Sequence, residues 1–172
     1  MQPYHLAKLV EWAGILNSRK RLQKVVYLLQ ASGCTELEAS YILHHYGPYS
    51  FEVANVSDQL VASGIVTETA IANGVGMSYS YEMSEQGRQA VEQLEQGPQR
   101  STLTSFQAFE TKARELLQKS IADLEYGSTM LYFYRQTKDW AAAETKTCAF
   151  KKLSPNDKFC AAALKLAQEI QQ

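Results

Sequence analysis

The chain has little of what usually announces a specialised chemistry. Among its 172 residues are three cysteines, Cys34, Cys148 and Cys160, an odd number at wide spacing. That pattern suits a reducing compartment and argues against a disulfide framework, so buried thiols are the reading for Cys148 and Cys160. No run of residues approaches the length needed to cross a bilayer. Lys8 and Glu11 interrupt the one apolar run near the start, and no basic segment precedes it, so a signal peptide is not expected. The expected location is the cytoplasm. Charge of either sign is not in excess: 17 basic residues face 18 acidic ones, a formal net charge of −1. There is thus no global pull toward nucleic acid or an anionic membrane.

Catalytic signatures are also missing. The sequence has no P-loop, no dinucleotide-binding glycine fingerprint, no Gly-x-Ser-x-Gly and no His-Glu-x-x-His. Gly74-Val75-Gly76 reads as a turn, since no strand-to-helix context makes it a phosphate cradle. Glu36 and Glu38 resemble paired carboxylates only in spacing. His44-His45 together with His5 is a weak metal set, because adjacent strand residues point to opposite faces. The expectation is a protein that is not an enzyme and uses no metal or cofactor.

What is present is a soluble-type composition, 45% hydrophobic and 20% charged, with clear periodicity. Leu6, Leu9, Val10, Ala13 and Leu16 predict a first amphipathic helix over about His5 to Leu16. Ser18 is placed to cap a second, whose stripe is Leu22, Val25, Val26 and Leu29 and which Gly33 ends. Tyr41 to Tyr46 reads as a strand running into a turn at Gly47-Pro48, since proline fixes its own backbone angle and restricts the residue before it. Ser50 can then cap a third helix with Val53, Val56, Leu60 and Val61 on its apolar face. Ile65 to Thr69 and Ser78 to Met83 predict two strands around a glycine-rich tip, and Ser84 caps a helix ending at Gly97-Pro98.

Gly97 to Ser101 is the one credible boundary, a short polar hinge that divides the chain into residues 1–98 and 99–172. Beyond it the pattern is helical. Thr104 to Gln107 has capping-box spacing, Gly127-Ser128 reads as a break, and Asp139 can cap a helix ending near Leu153. Ser154-Pro155-Asn156-Asp157 is a strong helix start, with Phe159, Ala162, Ala163, Leu166 and Ile170 expected to be buried. The fold class is therefore α+β, mainly α: a winged helix-turn-helix-like domain followed by a helical domain.

Leu22-Gln23-Lys24-Val25-Val26-Tyr27-Leu28 and Tyr46-Gly47-Pro48-Tyr49-Ser50 together resemble the signature of a bacterial group. It contains the YwgA-like proteins and, more distantly, the Panacea (SocA-like) antitoxin domains. In that group a Leu-x-Lys-hydrophobic-hydrophobic-Tyr helix precedes a Tyr-Gly-Pro corner. The resemblance is specific over Leu22 to Leu60 and weaker beyond. It implies a winged-helix-like core with a helical extension. It also implies an antitoxin-like role, acting by binding a partner protein such as a toxin.

The distribution of charge favours such a partner over DNA. From Met1 to Pro98 there are six basic and ten acidic residues, a net −4, while Gln99 onward is net +3. The expected recognition helix, Phe51 to Ser63, has no Lys or Arg and carries Glu52 and Asp58, leaving Asn55 and Gln59 as its base-reading side chains. If duplex DNA is bound, Arg19, Lys20, Arg21 and Lys24 are the phosphate contacts. Tyr79 and Tyr81 share one strand face, expected to pack on the helices. Tyr132, Phe133 and Tyr134 cannot all face one way on a helix, so at least one must meet the first domain or a second copy of the chain. The function expected is a non-enzymatic protein-interaction module, antitoxin-like or regulatory, with a DNA-binding regulator as the alternative.

Overall fold

A computed structural model describes residues 1–73, 76–98, 100–154 and 157–172. Three expectations fall partly outside them: the hairpin tip at Gly74-Val75, the boundary residue Gln99, and Pro155-Asn156 before the last helix. The chain begins with helix α1 (Pro3–Ala13), a short strand β1 (Ile15–Asn17) and helix α2 (Arg19–Ala31). A 3-10 turn, Thr35–Leu37, leads to the strands β2 (Ile42–His44) and β3 (Gly47–Tyr49) and then to α3 (Phe51–Ala62). Strands β4 (Val66–Asn73) and β5 (Gly76–Met83) precede α4 (Glu85–Gln96). Five further helices follow: α5 (Arg100–Gln107), α6 (Glu110–Gln118), α7 (Ile121–Thr137), α8 (Trp140–Lys151) and α9 (Lys158–Gln171). The fold is mixed α+β and mainly helical.

Side-chain caps set several of these boundaries as the sequence predicts. The hydroxyls of Ser18, Ser50 and Ser84 accept from the third amide of α2, α3 and α4, and Asp139 accepts from the first turn of α8. Strand β1 is a difference, since the periodicity predicts a helix as far as Leu16. Gly14 at φ +68° closes α1 early, and Leu16 then reaches the core from an extended segment. β1 pairs with β5, and β5 with β4, so the antiparallel sheet has the order β1-β5-β4. The expected turn at Gly47-Pro48 is one step off: His45-Tyr46 makes the turn, and Gly47 and Pro48 pair with His44 and Leu43 as strand residues. A two-stranded pair has no neighbour that would need the missing proline N–H.

The C-terminal half departs further. Thr104 lies inside α5, its hydroxyl returned to the Arg100 carbonyl, rather than opening a helix. The long helix expected to break at Gly127-Ser128 is interrupted instead at Ala108-Phe109 and again at Lys119-Ser120, where Ser120 caps α7. α7 runs straight through Gly127, because that glycine is a contact point: a methyl group there would lie 2.6 Å from Cδ2 of Leu166 on α9. Helix α9 is capped by Asp157 and buries Cys160, Ala163, Leu166, Ala167 and Ile170, leaving Phe159 and Ala162 exposed. Cys148 and Cys160 form a disulfide between α8 and α9, against the expectation of free thiols. The two helices lie side by side, so 12 positions of sequence become adjacency in space. Cys34 is a buried free thiol, pushed up to about 12 by burial and the nearby Glu36 carboxylate.

Helices on both sides of Gly97 share one apolar core. α6 and α7 pack on α1 and α2, where Leu6, Leu9, Val25, Val26, Leu124 and Leu131 are sealed from solvent. Phe106 of α5 stacks on Trp12 of α1 with centroids 5.1 Å apart. Three arginines also tie helix ends to neighbours. Arg21 donates to the carbonyls of Leu117 and Lys119 at the end of α6, Arg114 to Trp12 at the end of α1, and Arg135 to Ala31 at the end of α2. Each satisfies an orphan carbonyl and places positive charge where the helix dipole is negative.

The Gly127 contact is testable. Gly127→Ala should destabilise the protein by about 1–3 kcal/mol through overpacking, although alanine is favoured over glycine in a helix by about 1 kcal/mol. Introduced into a Leu166→Ala background, the same change should be far less harmful. Urea unfolding of the four variants measures this, and an equal loss in both backgrounds would contradict the crowding.

Candidate interaction site

The site grows from a backbone problem. Between β3 and α3 the chain is buried at Pro48 and Ser50, where the Ser50 carbonyl takes the first helical bond, from the Ala54 amide at 3.2 Å, and the Ser50 amide and Pro48 carbonyl are met by side chains. Two consecutive side chains of α2 supply the partners. Gln23 behaves like a peptide group: its Nε2 donates to the Ser50 carbonyl at 2.9 Å and its Oε1 accepts from the Ser50 amide at 2.9 Å. Lys24, only 2% exposed, donates through Nζ to the Pro48 carbonyl at 2.6 Å. Burial lowers the Lys24 ammonium to about 7; Glu125 offsets part of this, while Lys151 and Lys20 add to it. From the other side α7 closes on Gly47, whose φ is +91° and whose missing side chain is replaced by contact with the Thr129 hydroxyl. Tyr27 lies edge-on to Tyr41 at 4.8 Å. The segments Leu22 to Leu28 and Tyr46 to Ser50 are therefore two halves of one joint.

The structure places the four basic residues at the front of α2 in separate contacts. Arg19 grips Glu68 of β4 with contacts of 2.8 to 3.1 Å and donates to the Tyr81 hydroxyl at 2.7 Å. The hydrogen bond to Glu68 raises Arg19 above its ordinary value. Burial pushes the Glu68 carboxyl up, but the bonds from Tyr81 and Arg19 outweigh it and hold it low. Lys20 is exposed, with its ammonium 3.7 Å from the centre of the Tyr46 ring. Arg21 is spent on the end of α6 and is lowered by burial. Lys24 is inside the joint. Of the four, Lys20 is the one that stands exposed without a hydrogen-bonded partner among the described residues.

Around the joint lies a pocket of about 240 Å³. Arg19, Lys20, Gln23 and Lys24 of α2 form its floor with Leu22. The β2–β3 hairpin supplies His44, Tyr46, Gly47 and Tyr49, and α3 supplies Ala54, Ser57 and Asp58. Outside the pocket the same hairpin exposes apolar side chains. Ile42 is 48% exposed, Tyr46 49% and Phe51 63%. Ile42 pairs with the half-buried Tyr49 across the strands, and the Tyr49 and Phe51 rings meet at 5.2 Å, so Ile42, Tyr49 and Phe51 form a continuous surface. Asn55 and Gln59 of α3 are exposed beside Glu52 and Asp58, and the helix presents no cation. No group of three or more His, Cys, Asp or Glu side chains that could hold a metal occurs among the described residues.

Tyr132, Phe133 and Tyr134 are half-buried within the chain. Tyr132 meets Tyr27 of α2, Phe133 meets Phe150 of α8, and Tyr134 stacks on Trp140 at 3.7 Å. No helix among the described residues is long and apolar enough to cross a membrane. Among the pocket residues, His44, Ala54, Asp58 and Tyr81 are not read as site residues from the sequence; they come from β2, α3 and β5, so no spacing in the sequence unites them.

No family model matches the chain. Over 82 residues it is 32% identical to the uncharacterized protein YwgA of Bacillus subtilis (strain 168). The matched stretch spans 48% of this chain and 49% of that protein, about half of each. The chain is similar to YwgA over that half, and a relative described as uncharacterized brings no activity with it.

Two measurements probe the joint. Gly47→Ala should unfold more readily than Pro48→Ala, because it adds both a positive-φ penalty and a clash with Thr129. Lys24 is a base whose folded value lies below its ordinary 10.5, so the unfolded chain holds its proton longer. Its burial penalty is complete at and below about pH 7 and is relieved as pH rises toward 10.5. The stability of the native protein relative to Lys24→Met should therefore increase over that window. A flat difference in urea unfolding would show that the amine titrates normally.

Proposed function

We propose that this protein is a non-enzymatic interaction module, antitoxin-like or regulatory, that binds a partner protein through the β2–β3 hairpin and the start of α3. The observation that carries the reading is the exposure of Ile42, Tyr46 and Phe51, with the half-buried Tyr49 joining Ile42 to Phe51. Soluble proteins seldom leave several large apolar side chains together in solvent unless a partner covers them. Glu52 and Asp58 border it, so the complementary surface on the partner is apolar at its centre and basic at its rim. The element order supports a winged-helix core: helix, strand, helix, the short β2–β3 pair, helix and then the β4–β5 hairpin, with β1 joining that second hairpin in one sheet. In that arrangement α3 occupies the position of a recognition helix. The likeness of the Leu22 to Ser50 signature to antitoxin domains points the same way.

DNA binding is the competing reading, supported by Asn55 and Gln59 on the exposed face of α3. Against it stand the acids of that face and the engagement of Arg19, Arg21 and Lys24 inside the fold. Affinity capture from source cells, with and without nuclease, separates the two. A single protein recovered regardless of nuclease, and lost with Phe51→Asp, is the expected result. A carboxylate placed in a desolvated apolar contact should weaken binding by at least about 2 kcal/mol. Recovery of DNA fragments sharing a motif, with binding insensitive to Phe51→Asp, would overturn the proposal.

A further inference from the structure

The pocket beside this surface has a chemistry of its own. Residues 1–98 are net acidic, yet three of their six basic residues line the pocket, Arg19, Lys20 and Lys24, against one of their ten acids, Asp58. Arg19 is committed to Glu68. Lys20 is not: its ammonium is held over the Tyr46 ring, and no salt bridge to it is formed among the described residues. Lys24 has three donor hydrogens, of which the Pro48 carbonyl takes one, and no second acceptor is bonded to it among the described residues. An amine that is 2% exposed normally has its donors matched, and an acceptor in the pocket would match those that remain. Leu22, Ala54, Tyr49 and the ring of Tyr81 supply an apolar and aromatic wall, and Gln23, His44 and Ser57 complete the lining with uncharged or weakly basic polar groups.

From this juxtaposition we infer that the pocket binds a small organic anion: a carboxylate carried on a flat apolar body. The carboxylate lies toward Lys20 and Lys24, and the apolar body lies between Tyr49 and the Leu22–Ala54 wall. About 240 Å³ holds one ring with its acid group and little more. Inorganic anions meet only the cationic end and forgo the apolar wall. A neutral isostere fills the wall but leaves the ammonium groups unmatched. Asp58 faces the same space and opposes the anion, which sets the sign of one control. The inference does not depend on a protein partner.

Phenylacetate, phenylacetamide and inorganic phosphate are the probes, titrated into the full chain and followed through backbone amide shifts in NMR. Phenylacetate should shift the amides of Gly47, Ala54 and Ser57 in a saturable way. Phenylacetamide should bind about tenfold more weakly or worse, the usual penalty for losing a charge-assisted pair. Lys20→Met should weaken phenylacetate by a similar factor, Lys20→Arg should restore it, and Asp58→Asn should strengthen it. Both positions are exposed, so these variants should fold. Equal response to acid and amide, response to phosphate alone, or no response at millimolar probe would each overturn the inference.

Discussion

The structure depends on how the peptide groups between β3 and α3 are satisfied. A buried carbonyl or amide without a partner destabilises a fold by about 1–3 kcal/mol, and this junction buries three of them at Pro48 and Ser50. Gln23 takes two and Lys24 takes the third. Because the two side chains are consecutive on α2, they fix the junction in both position and direction, and α3 leaves it at a set angle. Leucine at Gln23 would fill the space and leave the Ser50 amide unpaired, the Ser50 carbonyl keeping its bond from the Ala54 amide. Methionine at Lys24 would remove a buried charge and strand the Pro48 carbonyl. The second half of the chain is bound to the same joint: α7 rests on Gly47 through Thr129, and Lys151 of α8 pairs at 2.6 Å with Glu125, whose charge in turn supports Lys24.

A related economy governs the arginines. Arg21, Arg114 and Arg135 each reach across to the carboxyl end of a different helix, while Arg19 locks the front of α2 to β4. A cation at the front of its own helix opposes the dipole, but the same cation at the back of another helix is favoured. That resolves the oddity of Arg19-Lys20-Arg21 at the start of α2 without an external phosphate. It also means that the local run of basic residues is a poor guide to surface potential. Of the four basic residues at the front of α2, Lys20 is the one exposed without a hydrogen-bonded partner among the described residues.

These arrangements mark where the sequence could be read and where it could not. Short-range signals were legible: the serine caps at Ser18, Ser50 and Ser84, the apolar stripes of α1 and α2, and the β4–β5 hairpin all follow from neighbours within a few residues. Long-range reasons were not. Gly127 looks like a helix break until Leu166 is seen against it, and β1 is three residues whose strand character comes from pairing with β5. Gly47-Pro48 carries the residues of a turn but serves as a strand, because the contact with α7 needs the glycine and the pairing with β2 tolerates the proline. Cys148 and Cys160 meet only because α8 and α9 lie together. The pocket was invisible for the same reason, since four elements contribute to it.

Tyr46 and Tyr49 belong both to the exposed hairpin surface and to the pocket wall, which has a thermodynamic consequence. A ligand in the pocket and a partner on the hairpin would order the same two rings. Whatever one occupant contributes to fixing Tyr46 and Tyr49, the other no longer has to supply, so the two bindings are coupled and the coupling is reciprocal. Its sign depends on whether the two occupants accept the same ring orientation. Lys20 adds a second link: its ammonium now sits on the Tyr46 ring, and an anion that draws it into the pocket would release that ring toward the partner surface. A joint bonded at Gly47 and Ser50 that carries exposed side chains on its rim would therefore hold its fold while its outer face responded to an occupant of the pocket.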